Sequence, residues 1–213
     1  ALDQSVSVNR DLSPLRKNYY SWREPYETPG SVKMEQIVLQ LNEVLAEDAI
    51  VANGAGNYAA WLHRYFQYKS FKTQLAPTSG SMGYGIPAAI SAKLERPNTE
   101  VVCLAGDGCA QMSIQEFGTA VQYKANIIII ISNNGVYGTI KMHQERTYPG
   151  RTSGTNILNP DFSSLARSYG GFGETVEKTA EFLPAFERAR SAGKPAIIEL
   201  KTNPLALSPQ TPA

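Results

Sequence analysis

The chain has 213 residues, 42% of them hydrophobic, with 20 basic against 19 acidic side chains and a formal charge of +1. That length and composition hold one sizeable domain with a real core, and the balanced charge gives no reason to expect nucleic acid or an anionic membrane as a partner. No run reaches the roughly 18 apolar residues of a membrane span, no signal peptide opens the chain, and Cys103 and Cys109 make no disulfide framework, so a cytoplasmic protein is expected.

Residues 1–30 are polar and irregular, spotted with Pro14, Pro25 and Pro29 and with Tyr19, Tyr20, Trp22 and Tyr26. They read as a linker or arm from a preceding domain, and the start at Ala1 reads as a processed or excised piece. Residues 31–204 form the domain proper. Ser31 is placed to cap a helix over 32–46, whose Met34, Ile37, Val38, Leu41, Val44 and Leu45 share one side. A strand over 49–52 runs into Asn53-Gly54-Ala55-Gly56-Asn57-Tyr58-Ala59, a G-x-G-x-x-A between strand and helix. A nicotinamide-binding domain needs an acidic residue about 20 positions beyond such a loop. None occurs between Asp48 and Glu95, which argues against that reading. A helix with an aromatic face follows over 61–68, with His63 as an exposed or capping histidine. Then come a loop over 69–78 and a glycine-rich turn into a helix over 80–94, stopped by Arg96-Pro97.

The centre of the chain carries the chemistry. An apolar strand over 101–105 is interrupted at once by Gly106-Asp107-Gly108, and a helix over 113–123 follows, with Ile114, Phe117 and Val121 at helical spacing and Ser113 as its cap. Residues 127–131 are five isoleucines in a row, the mark of a strand buried on both faces as in a parallel sheet; Asn133-Asn134-Gly135 ends it. Two parallel neighbours thus bring an aspartate and an asparagine to their carboxyl ends, where open α/β sheets bind ligands. A carboxylate and an amide oxygen are hard ligands, and turn carbonyls and a diphosphate complete an octahedron around Mg²⁺. Glycines let the backbone approach the phosphates, and helix N–H groups point at them. One carboxylate alone is a weak cage, so the metal is shared with a phosphorylated ligand.

Residues 138–151 run as a helix into a loop, with Lys141, Met142, His143 and Gln144 available to a substrate pocket. His143 is either a proton donor, since histidine titrates near neutral pH, or a surface residue. Asn159-Pro160-Asp161 opens a helix to Tyr169 that Gly170-Gly171 ends. A short strand over 172–176, a helix over 179–192 with Phe182, Phe186 and Ala189 inward and Gly193 as its cap, and a strand over 196–200 close the sheet. A proline-spotted tail begins at 202, and residues 205–213 lie beyond the domain. The expected fold is a single doubly wound α/β domain, with a mainly parallel sheet of about five or six strands and helices on both faces.

Asp107 and Asn134, set as GDG followed by NN, resemble the signature of thiamine diphosphate-dependent enzymes. Gln115-Glu116-Phe117-x-Thr119-Ala120 is similar to that family's "ELxTA" helix, and residues 79–89, SGSMGYGIPAA, resemble the "GxMGxGxPAA" segment of the acetolactate synthase group. The likeness covers residues 31–204. It implies thiamine diphosphate and Mg²⁺ as cofactors, with Asp107, Asn134 and the backbone carbonyl of Val136 as metal ligands. Gly56, Asn57 and Tyr58 would touch the distal phosphate. Gly80, Gly106, Gly108, Cys109, Tyr137, Gly138 and Thr139 would contact the cofactor or sit against it, and Met82 would prop it into a bent form. The implied activity is decarboxylation and carboligation of small 2-oxo acids by a lyase or transferase. A 2-oxo acid decarboxylase of the benzoylformate or indolepyruvate type and a non-catalytic cofactor-binding or assembly module are the alternatives. His143 departs from the tryptophan usual at that position in acetolactate synthases. The activating glutamate would come from a pyrimidine-binding domain of another subunit, in a homodimer or homotetramer. Glu116 is no substitute for it, so this chain alone is expected to be inactive.

Overall fold

A computed structural model of the chain describes residues 11–209. Its strands are Ile50–Asn53 (β1), Gln74–Leu75 (β2), Val101–Gly106 (β3), Ile128–Asn133 (β4), Phe172–Val176 (β5) and Ala196–Lys201 (β6). They form one sheet in the order β2-β1-β3-β4-β6-β5, and every pairing is parallel. The helices are Ser13–Arg23 (α1), Met34–Val44 (α2), Ala59–Tyr65 (α3), Gly85–Glu95 (α4), Asp107–Ala110 (α5), Glu116–Gln122 (α6), Gly138–Thr147 (α7), Phe162–Ser168 (α8) and Phe182–Ser191 (α9).

The isoleucine run shows why the sheet is covered twice. Successive side chains of a strand point to opposite faces. Ile128 and Ile130 join a core with Ile37 and Leu41 of α2, Leu62 and Tyr65 of α3, and Phe182 and Phe186 of α9. Ile127, Ile129 and Ile131 face the other way, onto Ile86 and Ile90 of α4, Phe117 of α6 and Phe162 of α8. Each such side chain taken fully out of water contributes about 1.5–3 kcal/mol, so neither layer is dispensable. The expected doubly wound architecture is what the chain adopts.

Local differences from the sequence reading have physical causes. Residues 69–78 were expected as loop, yet Gln74 and Leu75 pair with Val51 and Ala52 as β2; a two-residue edge strand carries no periodicity to read. The segment before residue 31 is not irregular throughout. Pro14 sits in the first turn of α1, where its missing N–H costs nothing; residues 1–10 lie outside the described residues. Ser31 does not cap α2, which starts at Met34; its carbonyl instead accepts from the Thr179 amide and hydroxyl. Ser113 does not cap α6 but donates its hydroxyl to the Gly83 carbonyl at 2.8 Å. α3 runs Ala59–Tyr65 rather than over 61–68. Gly193 follows the C-terminus of α9 at φ +61°, as the cap was read.

The segment ahead of α2 is fastened to the domain. Arg23 donates to the carbonyls of Arg64 and Tyr65, and the buried Glu35 carboxylate accepts from the Thr28 amide, the Thr28 hydroxyl and Trp61 Nε1. Arg64 in turn donates to the carbonyls of Trp22 and Pro209, both at 2.6 Å, so residues on either side of the domain meet at one guanidinium. Residues 205–209 therefore lie against the domain; residues 210–213 lie outside the described residues. After β1 the chain moves to one side for β2 and then to the other for β3. The carboxyl ends of β1 and β3 thus flank a topological switch point, where open sheets leave a crevice.

Candidate functional site

Three segments meet at that crevice: residues 54–58 after β1, the start of α5 directly after β3, and residues 134–139, which lead from β4 into α7. With Met82 they line an open cleft, placed where doubly wound sheets take small-molecule ligands. Gly56, Asn57, Tyr58, Gly106, Asp107, Gly108, Cys109, Asn134, Val136, Tyr137, Gly138 and Thr139 all line it.

Asp107 is the carboxylate at its floor. Oδ1 accepts from the Gly108 amide at 2.8 Å, and Oδ2 accepts from the Gly135 amide at 2.8 Å and from Asn159 Nδ2 at 2.7 Å. Burial pushes this carboxyl above its ordinary pKa, and the hydrogen bonds from Gly108, Asn159, Gly135 and the Asn134 amide pull the other way. Asn134 Oδ1 accepts from the Val136 amide at 3.1 Å. Val136 bridges Asn156, but the two bonds of the bridge belong to Tyr137, with Thr155, and Ile157, with Gly135, so the Val136 carbonyl stays outside it. Gly135 makes the turn at φ +69°. Asp107, Asn134 and Val136 thus line one cleft, with a carboxylate, a side-chain amide oxygen and a main-chain carbonyl among their groups. Among the described residues no group of three or more His, Cys, Asp or Glu side chains gathers to hold a metal. Such a set suits a hard cation that draws its remaining ligands from an anionic guest. α7 starts at the same cleft, and its first-turn amides have no acceptor within the helix, an arrangement that receives phosphate oxygens.

The loop after β1 is latched to α7. The Asn57 amide donates to Thr139 Oγ1 at 3.1 Å, and the Thr139 hydroxyl donates to Asn57 Oδ1 at 2.9 Å. Tyr58 turns inward. Its ring lies on Gly106, and its hydroxyl donates to Cys109 Sγ at 3.3 Å. Burial, followed by the neighbouring Cys109, holds this phenol well above its ordinary pKa, so it stays protonated. The Gly83 amide also donates to Cys109 Sγ, at 3.1 Å, and ties the glycine-rich turn to the floor. Met82 stands on the rim, 37% exposed.

Two of the cofactor and catalytic candidates lie outside the cleft lining, as do Lys141, Met142 and Gln144. Gly80 is outside the cleft lining, at φ +68° with open space around it. His143 is exposed on α7, also outside the lining, and its Nδ1 is 2.8 Å from an Arg146 guanidinium nitrogen. Asn159 went unread as a site residue, because Asn159-Pro160-Asp161 signals only a helix start and Asp107 is 52 positions away. Its Nδ2 donates to Asn133 Oδ1 as well, at 2.7 Å.

Comparison with known proteins identifies the family. The profile described as "Thiamine pyrophosphate enzyme, C-terminal TPP binding domain" matches residues 54–200. The acetolactate synthase large subunit of Cyanidium caldarium is 33% identical over 188 residues, 84% of this chain and 32% of that protein. Its counterpart in Haemophilus influenzae is 35% identical over 196 residues, 89% of this chain and 34% of that protein. Among solved structures, the thiamine diphosphate-dependent 4-hydroxybenzoylformate decarboxylase of Rhodococcus jostii RHA1 superposes with a TM-score of 0.77 at 32% identity, over 84% of this chain and 34% of the other. The chain spans about a third of the length of these relatives.

Proposed function

Because the chain belongs to the thiamine pyrophosphate enzymes, as a C-terminal TPP-binding domain of the acetolactate synthase-like kind, we propose that its cleft holds thiamine diphosphate through Mg²⁺, with Asp107, Asn134 and the Val136 carbonyl as the protein's ligands. The observation that carries this is the meeting of one buried carboxylate, one amide oxygen and a bridge-free carbonyl beside the N-terminus of α7. Gly108, Gly138 and Thr139 would give main-chain approach to the diphosphate, Asn57, latched to Thr139, would hold the β1 loop beside it, and Met82 would offer an apolar contact from the rim. Tyr58 acts from behind, filling the space against Gly106 and holding Cys109.

The bound cofactor supplies an electron sink for the carbonyl carbon of a 2-oxo acid. The chain's own residues anchor and orient it, and they exclude water from the floor of the cleft. The activating glutamate comes, on this reading, from a pyrimidine-binding domain of another subunit in a homodimer or homotetramer. His143, outside the cleft lining on α7, faces the substrate only across such a boundary, as a proton donor. The setting is the cytoplasm; no helix among the described residues is long and apolar enough to cross a membrane.

Asp107→Ala tests the site. Calorimetric titration with thiamine diphosphate in the presence of Mg²⁺ is expected to lose its metal-dependent binding, and affinity equal to the parent's would refute the assignment. Acetolactate synthesis from pyruvate and decarboxylation to an aldehyde are separated by NMR of the carbon products of the native full-length protein. The histidine at 143 and the likeness to a solved decarboxylase favour the second reaction as the alternative.

A further inference from the structure

We propose that Asn159 is a positioning residue for the Asp107 carboxylate, and that the buried Glu199 dictates which way Asn159 points. The inference rests on the reading of Asp107 as a metal ligand. Glu199, at the carboxyl end of β6, is 0% exposed, and an ionised carboxylate can only accept hydrogen bonds. Lys201 Nζ lies 2.6 Å from its Oε1 and compensates the buried charge. The same oxygen accepts from Asn133 Nδ2 at 2.6 Å, and Oε2 is 3.3 Å from the Thr175 hydroxyl. Asn133 must therefore turn its nitrogen to Glu199 and its Oδ1 away.

That oxygen needs a donor, and Asn159 Nδ2 supplies one at 2.7 Å. The second hydrogen of the same nitrogen goes to Asp107 Oδ2 at 2.7 Å, while Asn159 Oδ1 accepts from Gln111 Nε2 at 2.7 Å. Both amides then have a single satisfied orientation. Turning either one would set N–H against N–H or oxygen against oxygen, at a cost that falls on a partly buried network. The row runs from β6 through β4 and the α8 entry to the end of β3, spanning the floor of the cleft from beneath.

Its effect is on the carboxylate's freedom. Oδ2 is held by two donors, Gly135 and Asn159, and Oδ1 by the amide of its neighbour Gly108, with the Asn134 amide a further donor to the same carboxylate. Asp107 cannot rotate without breaking these bonds, and Oδ1 keeps capacity for a cation. Partners that orient a metal ligand from behind in this way typically change metal affinity by about 10–100-fold.

The test is a Mn²⁺ titration of the native full-length protein at a fixed concentration of thiamine diphosphate, with free Mn²⁺ read by electron paramagnetic resonance and thermal midpoints of the apo variants read alongside. Asn159→Leu and Asn159→Asp are nearly isosteric with the parent. Both are expected to raise the half-saturating Mn²⁺ concentration by about 10–100-fold, Asn159→Asp more because it sets a second carboxylate against Asp107. Glu199→Gln, which still offers an oxygen to Asn133, is expected to stay closer to the parent than either. If Asn159→Leu does not fold, Asn159→Ser, too short to reach both acceptors, takes its place. Parent-like half-saturation in the Asn159 variants, whatever their thermal midpoints, overturns the proposal while the loss in Asp107→Ala leaves the site reading standing. Parent-like binding by Asp107→Ala overturns both.

Discussion

Gly106 has no side chain because Tyr58 occupies the place where one would go: a Cβ there would lie 2.6 Å from Tyr58 Cδ1. The ring cannot retreat, since its hydroxyl is engaged with Cys109. Gly106→Ala is therefore expected to cost about 1–3 kcal/mol as an overpacked core position, measured by urea unfolding, and to weaken thiamine diphosphate binding as the floor shifts. An unchanged midpoint would mean that the ring moves freely. The pair also marks the limit of reading residues from sequence. Asp107 and Asn134 were legible because each sits in a short run, GDG and NNG, whose spacing from a strand is itself informative. Which way Tyr58 turns was not, because both directions satisfy the same G-x-G-x-x-A pattern. Asn159 was illegible for a different reason: its partners Asp107 and Asn133 reach it only through the fold.

At the scale of elements, α8 shows a start written locally. Asp161 accepts from the Ser164 amide at 2.8 Å and from the Ser164 and Ser163 hydroxyls at 2.7 Å. The Ser164 amide, then these hydroxyls, hold its carboxyl well below the ordinary range. A depressed pKa in the folded state contributes stability that is present above the unfolded value, about 3.9, and is lost as pH falls through the folded one. Asp161→Ala is expected to cost about 1 kcal/mol at pH 7, with the deficit shrinking once pH drops below about 4. Asp161→Asn should keep most of the cap and show no such pH dependence, and chemical unfolding at pH 7 and pH 3 checks both. The start was legible, though not which residue caps it, because the partners that fix it are only two and three residues away. α1 was passed over although Leu15, Tyr19 and Trp22 recur at helical spacing, because its prolines and polar residues read as an irregular arm; in the fold it buries none of its residues. β2 escaped because its two residues take their order from Val51 and Ala52, not from their own sequence.

At the scale of the molecule, the proposed function makes the cleft half of a site. Met82 and Ile140 line the cleft and remain 37% and 52% exposed, and Leu158, beside Asn159 in the chain, is 98% exposed. Exposed apolar side chains at and near a cleft make a surface suited to being covered, in keeping with a chain that spans a third of its relatives. The 213-residue chain supplied with thiamine diphosphate, Mg²⁺ and pyruvate is expected to release no CO₂ above the uncatalysed rate. Steady turnover by the chain alone would sink the proposal that the activating group lies on another subunit. The doubly wound architecture itself was legible, because five consecutive isoleucines must feed two cores at once and only a sheet covered on both faces provides them. How the flanking segments settle was not. Arg64 gathers the carbonyls of Trp22 and Pro209 onto one side chain, which makes the leading and trailing stretches neighbours in space. A short peptide could therefore join them, with new ends opened beside Phe71, 89% exposed in the loop before β2. The order in which the gene spells the strands would change, and the order in which they lie in the sheet would not.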